Sequence, residues 1–297
     1  MTGLLARLER FPVVASTNDV VRDWLAEGVP EVCLAVADVQ VAGRGRGGRS
    51  WVAPVGAGLL LSVGCRPGWI APDRAWRVAA TVGLAMADAA EDAAGLPLRT
   101  IRLKWPNDLV VEVPDDLADT HAAPSNGRDA TAGPAIRKLG GILAEASDLG
   151  GDDPRLVVGV GLNADWEARH FPAELSPAMT SLRALTGRPI ARDDLLAAFL
   201  DRLEPRFEAL RGGRFALDDW VGRQLLPGRA VFLEGSGDAD GEWRVLAVDG
   251  VSGALVVADP AAPGGERQVQ AGEAVHVGLG AARPDPDRLP VPAGTRV

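Results

Sequence analysis

The chain contains 297 residues, 47% hydrophobic and 24% charged, a composition that supports one sizeable core with a smaller domain beside it. Its formal net charge of -9 argues against a general affinity for nucleic acid or for an anionic membrane surface. Cys33 and Cys65 are isolated and the histidines are scattered, so the sequence contains neither a disulfide framework nor a structural zinc motif.

Helix and strand signals alternate over the first three quarters of the chain. A helix is expected after Ser16-Thr17, where either hydroxyl can cap it, and Gly28 ends the pattern. Pro72 opens a long Ala-rich helix that runs to about Ala94. Apolar runs predict strands at 32–39, 59–65, 100–105, 109–113, 138–146 and 156–162, and helical periodicity predicts helices at 181–185, 193–210 and 215–221.

The character of the sequence changes after Pro227-Gly228. Short β-type runs alternate with Gly and Asp turns between 230 and 277, which is typical of a small barrel. We therefore predict an α+β protein with a mixed β-sheet and flanking helices over 1–224, a small β-barrel domain over 225–280 and a disordered tail over 281–297. The aperiodic polar segment 114–135 is expected to be a mobile surface loop, and no role is assigned to it.

The most informative segment is the glycine-arginine loop, residues 43–51 with the sequence GRGRGGRSW. Its glycines let the backbone present N–H groups to an anion, and Arg44, Arg46 and Arg49 add planar donors suited to phosphate or carboxylate. A Walker A loop requires Gly-Lys-Ser/Thr, which is absent here, and a Rossmann glycine spacing is weak evidence alone. The acidic net charge favours an anion-binding loop over a nucleic-acid patch or a simple turn.

The segment RLKWPND, residues 102–108, predicts a strand end followed by a turn. Alternation places Lys104 on the polar face of the strand, and Pro106 displays Asn107 and Asp108. A compact ammonium at this position suits a phosphoryl oxygen whose charge grows during a reaction. The spacing alone fits a solvated lysine beside a turn equally well.

Two further strands contain glycines, KLGGILAE at 138–145 and GVGLN at 159–163. Glycines inside strands commonly mark a bulge or the close approach of a ligand, and taken alone these glycines favour bulges. The chain has only two lysines: Lys104 lies in segment 102–108 and Lys138 in segment 138–145. Every asparagine except Asn126 lies in segment 102–108, in segment 159–163 or directly after Ser16-Thr17.

Taken in order, Ser16-Thr17-Asn18, Gln40, GRGRGGRSW, KWPND, KLGGIL and GVGLN resemble the signature of biotin–protein ligases over about residues 10–280. The start of the sequence lacks the apolar core of a signal peptide, and no apolar stretch reaches the ~20 residues of a membrane span, so a cytoplasmic protein is expected. The resemblance implies an enzyme that uses ATP and Mg²⁺ to convert biotin to biotinyl-5'-AMP with release of pyrophosphate. It would then transfer biotin to a lysine of the biotin carboxyl carrier domain of an acyl-CoA carboxylase. The implied fold is the biotin/lipoate ligase sheet followed by an SH3-like barrel.

The resemblance also implies the residues of the site. The biotin pocket would comprise Ser16, Thr17, Asn18, Gln40, Gly43, Arg44, Gly45, Arg46, Lys104, Gly140 and Gly141. The ATP site would comprise Arg46, Arg49, Trp51, Lys104, Asn107 and Asn163. Lys104, Arg44 and Arg46 would act on the reacting groups, whereas the metal ligands and the base for the lysine transfer are not assigned.

Two alternatives to a biotin ligase are kept open. A lipoate–protein ligase has a related fold and the same adenylation chemistry, but the glycine-arginine loop and KWPND favour biotin. A non-catalytic biotin-sensing regulator would bind DNA, yet only about fifteen residues precede Ser16, so we expect no winged helix and no operator binding. The expected partners therefore exclude nucleic acid and membranes, and the expected state is a monomer or a weak homodimer.

Overall fold

The structure is a computed structural model that describes residues 3–113, 135–234, 242–259, 264–270 and 276–279. The surface loop expected at 114–135, except its last residue, and the tail expected at 281–297 lie outside the described residues. The chain forms two compact units, Met1–Leu225 with Gly250–Gly253, and Leu226–Asp249 with Ala254–Val297.

The first unit is built on a seven-stranded mixed sheet. Its strands are β1 (Arg7–Val14), β2 (Cys33–Gln40), β3 (Gly58–Cys65), β4 (Ile101–Lys104), β5 (Asp108–Val113), β6 (Ala135–Ser147) and β7 (Arg155–Asn163). The order is β1-β2-β3-β7-β6-β5-β4. β1 is parallel to β2 and the remaining neighbours are antiparallel, so the predicted α+β class with a mixed sheet is confirmed.

Among the described residues, five α-helices accompany this sheet: α1 (Thr17–Ala26), α2 (Trp76–Ala94), α3 (Leu182–Thr186), α4 (Arg192–Arg211) and α5 (Leu217–Gly222). The long α2 packs closely on β6, since a Cβ at Gly83 would lie 2.7 Å from Ile142 Cδ1. On β3, a Cβ at Gly64 would meet the α1 side chain of Val21 at 2.4 Å. None of the described helices has the length and hydropathy to cross a bilayer.

These contacts place α1 and α2 on opposite faces of the sheet. Ser62 pairs with Gly159, and Gly159 pairs with Leu143, so these three positions share the face that carries α1. Ile142, one residue away, points to the face that carries α2. The α1 face is therefore available for a site above the strands.

The second unit contains a five-stranded antiparallel sheet. Its strands are β8 (Ala230–Glu234), β9 (Trp243–Val248), β10 (Leu255–Ala258), β11 (Glu266–Val269) and β12 (His276–Leu279), in the order β11-β10-β9-β8-β12. Trp243, Val245 and Leu255 are buried in it. Within the described residues this strand order is open, so the small antiparallel sheet is established and its closure into a barrel is not.

Candidate active site

A pocket of buried polar side chains lies at the N-terminus of α1. Ser16, Thr17 and Asn18 are all buried, and the Ser16 hydroxyl does not cap the helix. Gly159 of β7 lies directly beneath Asn18, because a Cβ at this position would come within 2.2 Å of Asn18 Oδ1. The glycine therefore makes room for a carboxamide rather than forming a bulge.

Hydrogen bonds connect this pocket to β2 and β3. Gln40 Oε1 accepts from the Thr17 amide at 2.7 Å and from the Thr17 hydroxyl at 3.0 Å. Ser62 Oγ lies 2.7 Å from Thr17 Oγ1 and 2.6 Å from Asn18 Oδ1, and Asn18 Nδ2 donates to Glu145 Oε2 at 2.8 Å.

This chain of contacts has too few protons. The carboxamide oxygens of Gln40 and Asn18 at its two ends only accept, so the hydroxyl protons of Thr17 and Ser62 must serve three oxygen–oxygen contacts. One contact is therefore left without a proton. Because its oxygens outnumber their protons, the pocket can accept hydrogen bonds from a ligand more readily than it can donate them, which favours a ligand with N–H groups.

The glycine-arginine loop forms a narrow hairpin above the same face. Arg44 pairs with Ser50, and the Trp51 amide donates to the Gly43 carbonyl at 2.9 Å. A Cβ at Gly43 would lie 2.3 Å from the Trp51 carbonyl oxygen, which restricts this position to glycine. Gly47 turns the chain with a φ of 62°. The hairpin thus carries Arg46 and Trp51 back over the sheet.

Arg44 binds carboxylates of the protein itself. Its guanidinium donates to both Asp19 oxygens at 2.9 and 2.8 Å and to the Glu145 carboxylate at 3.2 Å. Hydrogen bonding to Asp19 raises the pKa of the Arg44 guanidinium, and the same contact holds the pKa of Asp19 below its usual range. Arg44 is therefore permanently charged, and its guanidinium is already hydrogen-bonded to the carboxylates of Asp19 and Glu145.

Trp51 lies on a floor of two glycines. Gly141 of β6 pairs with Gly161 of β7, and a Cβ at Gly161 would lie 2.4 Å from the Trp51 indole nitrogen. The indole N–H is buried and has no hydrogen-bond partner among the described residues. A flat aromatic ring with a spare donor suits the stacking of a nucleobase.

Lys138 lies next to Trp51 and supplies an ammonium that sequence analysis did not assign to the site. Its Nζ is 2.5 Å from Asp108 Oδ1 and 5.6 Å from the centre of the Trp51 ring. Arg46 is half-buried nearby: burial lowers the pKa of its guanidinium, while the charge of Asp108 opposes that shift. Two cations, one carboxylate and an indole thus lie together at this end of the site, which we call its cationic end.

A β-bulge brings Lys138 to this face. Leu109 pairs with Gly140 and Val110 with Lys138, so Leu139 is the extra residue. Without the bulge, Lys138 and Gly141 would point to opposite faces of the sheet; with it, Lys138 Nζ lies 3.5 Å from the place of a Gly141 Cβ.

The remaining residues predicted for the site lie at the end of β4, on β6 and β7, in the turn after β4 and in the loop hairpin. Lys104 ends β4 directly opposite Asp108 and is half-buried. Gly140 faces apolar neighbours, since its Cβ would meet Leu162 Cδ1 at 2.8 Å. Asn107 and Asn163 bind backbone carbonyls: Asn107 Nδ2 donates to Ile142 at 3.2 Å and Asn163 Nδ2 to Thr180 at 3.0 Å. Gly45 lies in the hairpin and Arg49 is exposed on its outer side.

The site residues predicted from the sequence did not include five that the structure places there: Asp19, Ser62, Asp108, Lys138 and Glu145. Ser62 carried a signal, because it is the only hydroxyl in the apolar strand GLLLSVGC. Glu145 ends the KLGGILAE motif, and Lys138 is one of only two lysines. The pairing of Asp19 with Arg44 depends on the tertiary fold, and no local pattern predicts it.

Comparison with known proteins gives consistent matches. Residues 10–163 match the Biotin/lipoate A/B protein ligase family. The biotin--[acetyl-CoA-carboxylase] ligase of Mycobacterium tuberculosis is 32% identical over 237 residues, 78% of this chain and 77% of that protein. The bifunctional ligase/repressor BirA of Escherichia coli is 33% identical over 153 residues, 52% of this chain and 39% of that protein.

The solved structures show the same fold. Biotin protein ligase from Aquifex aeolicus, in complex with biotin and ATP, aligns with a TM-score of 0.67 at 22% identity over 93% of this chain and 99% of that one. The mixed sheet with a polar pocket and a cationic end on one face is thus the fold of a known ligase. The chain belongs to the Biotin/lipoate A/B protein ligase family, which confirms the resemblance inferred from its motifs.

Proposed function

We propose that the protein is an ATP-dependent biotin–protein ligase that forms biotinyl-5'-AMP and then biotinylates a lysine of a biotin carboxyl carrier domain. The observation that carries the proposal is the arrangement on one sheet face. An acceptor-rich pocket over Gly159 lies beside a cationic end over Gly161, two residues or about 6.7 Å along β7. A ligand with a polar head and a carboxylate tail can occupy both.

The proton deficit in the pocket favours biotin over lipoate. The ureido ring of biotin carries two N–H donors, which suit a pocket whose oxygens outnumber their protons and have lone pairs to accept from a ligand. The dithiolane ring of lipoate carries no N–H and would form no such hydrogen bonds with the pocket oxygens. A site built to hydrogen-bond a substrate N–H can reject an analogue that lacks it by about 10⁴–10⁵-fold.

The first step needs charge stabilisation rather than a base. The biotin carboxylate, with a pKa near ~4, is already ionised at neutral pH and can attack the α-phosphorus directly. A carboxyl oxygen–phosphorus bond forms while the bond to pyrophosphate breaks. Arg46 and Lys138 would stabilise the charge on the phosphoryl oxygens, with Lys104 at the end of β4, and Trp51 would hold the adenine.

In the second step the neutral amine of a carrier lysine attacks the carbonyl carbon of the mixed anhydride. The amide bond forms, the bond from that carbon to the AMP oxygen breaks, and the amine nitrogen releases a proton. For the first step, Mg²⁺ would enter with ATP and neutralise the charge of the pyrophosphate that leaves. Among the described residues, no three His, Cys, Asp or Glu side chains come together as a metal site, so the proposal contains no protein ligand set for the ion. Arg44 and the loop hairpin would cover the adenylate between the two steps.

The proposal extends to the whole chain. Residues 1–224 would form the catalytic domain and residues 225–280 an SH3-like domain. The five antiparallel strands of the second unit support the SH3-like domain, although their order is open within the described residues. The carrier is expected to be an acyl-CoA carboxylase subunit in the cytoplasm. The name of the Mycobacterium tuberculosis relative supports this choice of carrier.

The test is to measure pyrophosphate release with ATP, Mg²⁺ and either biotin or lipoate, and to detect the adenylate by mass spectrometry. Release with biotin and a background rate with lipoate are expected. Equal rates with lipoate would favour the lipoate–protein ligase alternative. Binding of biotin without any pyrophosphate release would favour a non-catalytic regulator.

A further inference from the structure

Glu145 contacts two parts of the site at once. One carboxylate oxygen accepts from Asn18 Nδ2 at 2.8 Å, and the carboxylate also accepts from Arg44 Nη2 at 3.2 Å. Asp19, the residue after Asn18, holds the other side of the same guanidinium. Arg22 lies 3.8 Å from Glu145 and also pairs with Asp19, so the cluster contains two cations and two anions.

The contact with Asn18 is the shorter of two that fix the orientation of its carboxamide, since Asn18 Nδ2 also lies 3.5 Å from the Leu143 carbonyl oxygen. An ionised carboxylate only accepts hydrogen bonds, so it selects the NH₂ end of the Asn18 side chain. The carbonyl end then faces Ser62 at 2.6 Å and becomes one of the two acceptors that end the proton-deficient chain. If Asn18 were reversed, its NH₂ group would supply the missing proton and the pocket would lose its preference for an N–H donor.

The contact with Arg44 fixes the base of the loop. The Arg44 side chain reaches toward α1 and β6, where three carboxylate oxygens take its hydrogen bonds at 3.2 Å or less. Its backbone pairs with Ser50 across the hairpin that carries Arg46. Holding Arg44 therefore holds the strand of the hairpin that begins over the biotin pocket.

We propose that Glu145 is a positioning residue for biotin activation: it orients Asn18 for the biotin head group and, with Asp19, anchors Arg44 and thereby the glycine-arginine loop. Arg44 then acts as a structural anchor of the loop, and Arg46 and Lys138 carry the charge at the phosphate. The inference rests on the proposed ligase function and adds a residue to its site.

The main experiment compares Glu145→Gln with Glu9→Gln, a matched control whose carboxylate pairs with Arg7 on the edge strand at 2.8 Å. Glutamine keeps the shape of glutamate but loses the charge and can donate to Asn18. The KM for biotin in pyrophosphate release is expected to rise about ten-fold in Glu145→Gln, as for loss of a hydrogen bond to a charged group. The KM for ATP and kcat should change less than two-fold.

A double-variant cycle tests the route through Arg44. If Glu145 acts by holding Arg44, the effects of Glu145→Gln and Arg44→Met on the KM for biotin overlap. The fold-increase in this KM in the double variant is then at least three-fold smaller than the product of the two single-variant increases. An unchanged KM in Glu145→Gln, or effects that multiply independently, would overturn the inference and leave Glu145 as a solvated ion-pair partner.

Limited trypsin digestion without ligand provides a readout that does not depend on catalysis. Cleavage after Arg46 and Arg49 is expected to be several-fold faster in Glu145→Gln than in the parent and in Glu9→Gln. If the parent protein shows no biotin-dependent activity, the proposed function fails, and this digestion still decides whether Glu145 anchors the loop. Should Glu145→Gln not fold, Asp19→Asn replaces it, and equal cleavage rates in Asp19→Asn and the parent would contradict the anchor.

Discussion

The positions of the two lysines decide which ammonium can act on the reacting phosphate. Lys104 was predicted from its place before the KWPND turn, and its backbone lies opposite Asp108. Lys138 lies against the same aspartate, with its Nζ above the Trp51 ring and the glycine floor. On this geometry, Lys138 is as well placed as Lys104 to contact the reacting phosphate.

Lys138→Ala is expected to slow adenylate formation about 10²–10³-fold, because removal of one charge aimed at a transition state costs about 2.7–4 kcal/mol. Lys138→Arg should also be poor, since a forked guanidinium does not replace a compact ammonium between Trp51 and Asp108. Single-turnover pyrophosphate release measures the rate. Near-normal release in Lys138→Ala would remove this lysine from the reaction.

Lys104→Ala, measured in the same assay, tests the prediction made from the sequence. A loss of similar size is expected if both ammonium groups contact the reacting carboxyl and phosphate. Parent-like release in Lys104→Ala together with a large loss in Lys138→Ala would assign the phosphate contact to Lys138 alone.

At the scale of elements, β7 separates the two halves of the site with two glycines on the same face. Gly159 makes room for Asn18, and Gly161 makes room for the indole of Trp51. Alanine at either position would place a Cβ closer than 2.5 Å to its neighbour, so that neighbour must move. The two substitutions are the same in size and lie on the same strand, but they are expected to affect different substrates.

Gly159→Ala is expected to raise the KM for biotin at least ten-fold with little change for ATP, and Gly161→Ala to do the reverse. Displacement of Asn18 breaks hydrogen bonds to Ser62 and Glu145, whereas displacement of Trp51 removes a stacking surface worth about 1–3 kcal/mol per base. Steady-state pyrophosphate release with each substrate varied in turn measures both constants. Parallel changes in the two KM values would show that the pockets are not separate.

The described strands of the first unit were predictable from apolar runs, with one exception. β1 (Arg7–Val14) reads as RLERFPVV, in which charges and a proline interrupt the alternation, and it occupies the edge of the sheet where such residues are tolerated. The bulge at Leu139 could not be predicted from the local sequence either, because it arises from the pairing of β6 with β5. Motif resemblance indicated the pocket residues, but only the fold showed that Arg44 is held by Asp19 and Glu145.

The antiparallel pairing of β5 and β6 leads to a further prediction for the segment between them. Val113 lies directly opposite Ala135, so a two-residue Asn-Gly turn can join these ends in place of residues 114–134. Thermal stability and biotin-dependent pyrophosphate release are expected to stay close to those of the parent. Each halving of a loop changes the closure free energy by only about 0.6 kcal/mol. A large loss of activity in a folded variant would reveal a function of this segment.

At the scale of the whole first unit, a buried ion cluster joins α2, β4 and the chain after α5. Arg223 donates to both oxygens of Glu91 at 2.8 Å and to the Ile101 carbonyl at 2.8 Å, and it also pairs with Asp88. The Glu91 side chain is fully buried, with 0% exposure, and it also accepts from the Ile101 amide at 2.8 Å. The backbone after α5 continues the sheet, because the Leu103 amide donates to the Arg223 carbonyl at 2.8 Å.

Arg223→Met is therefore expected to destabilise the protein by about 3–5 kcal/mol, since it leaves the Glu91 carboxylate buried without its cation. Arg202→Met provides the control: Arg202 pairs with Asp92 between α4 and α2 at 2.6 Å, but both side chains are well exposed, so its loss should cost less than about 1 kcal/mol. Adding Glu91→Leu to Arg223→Met should recover part of the lost stability, because an apolar pair removes the stranded charge. Urea unfolding at neutral pH, followed by circular dichroism, gives the free energies. If Arg223→Met and Arg202→Met unfold at the same urea concentration, the buried cluster contributes no more than a surface ion pair.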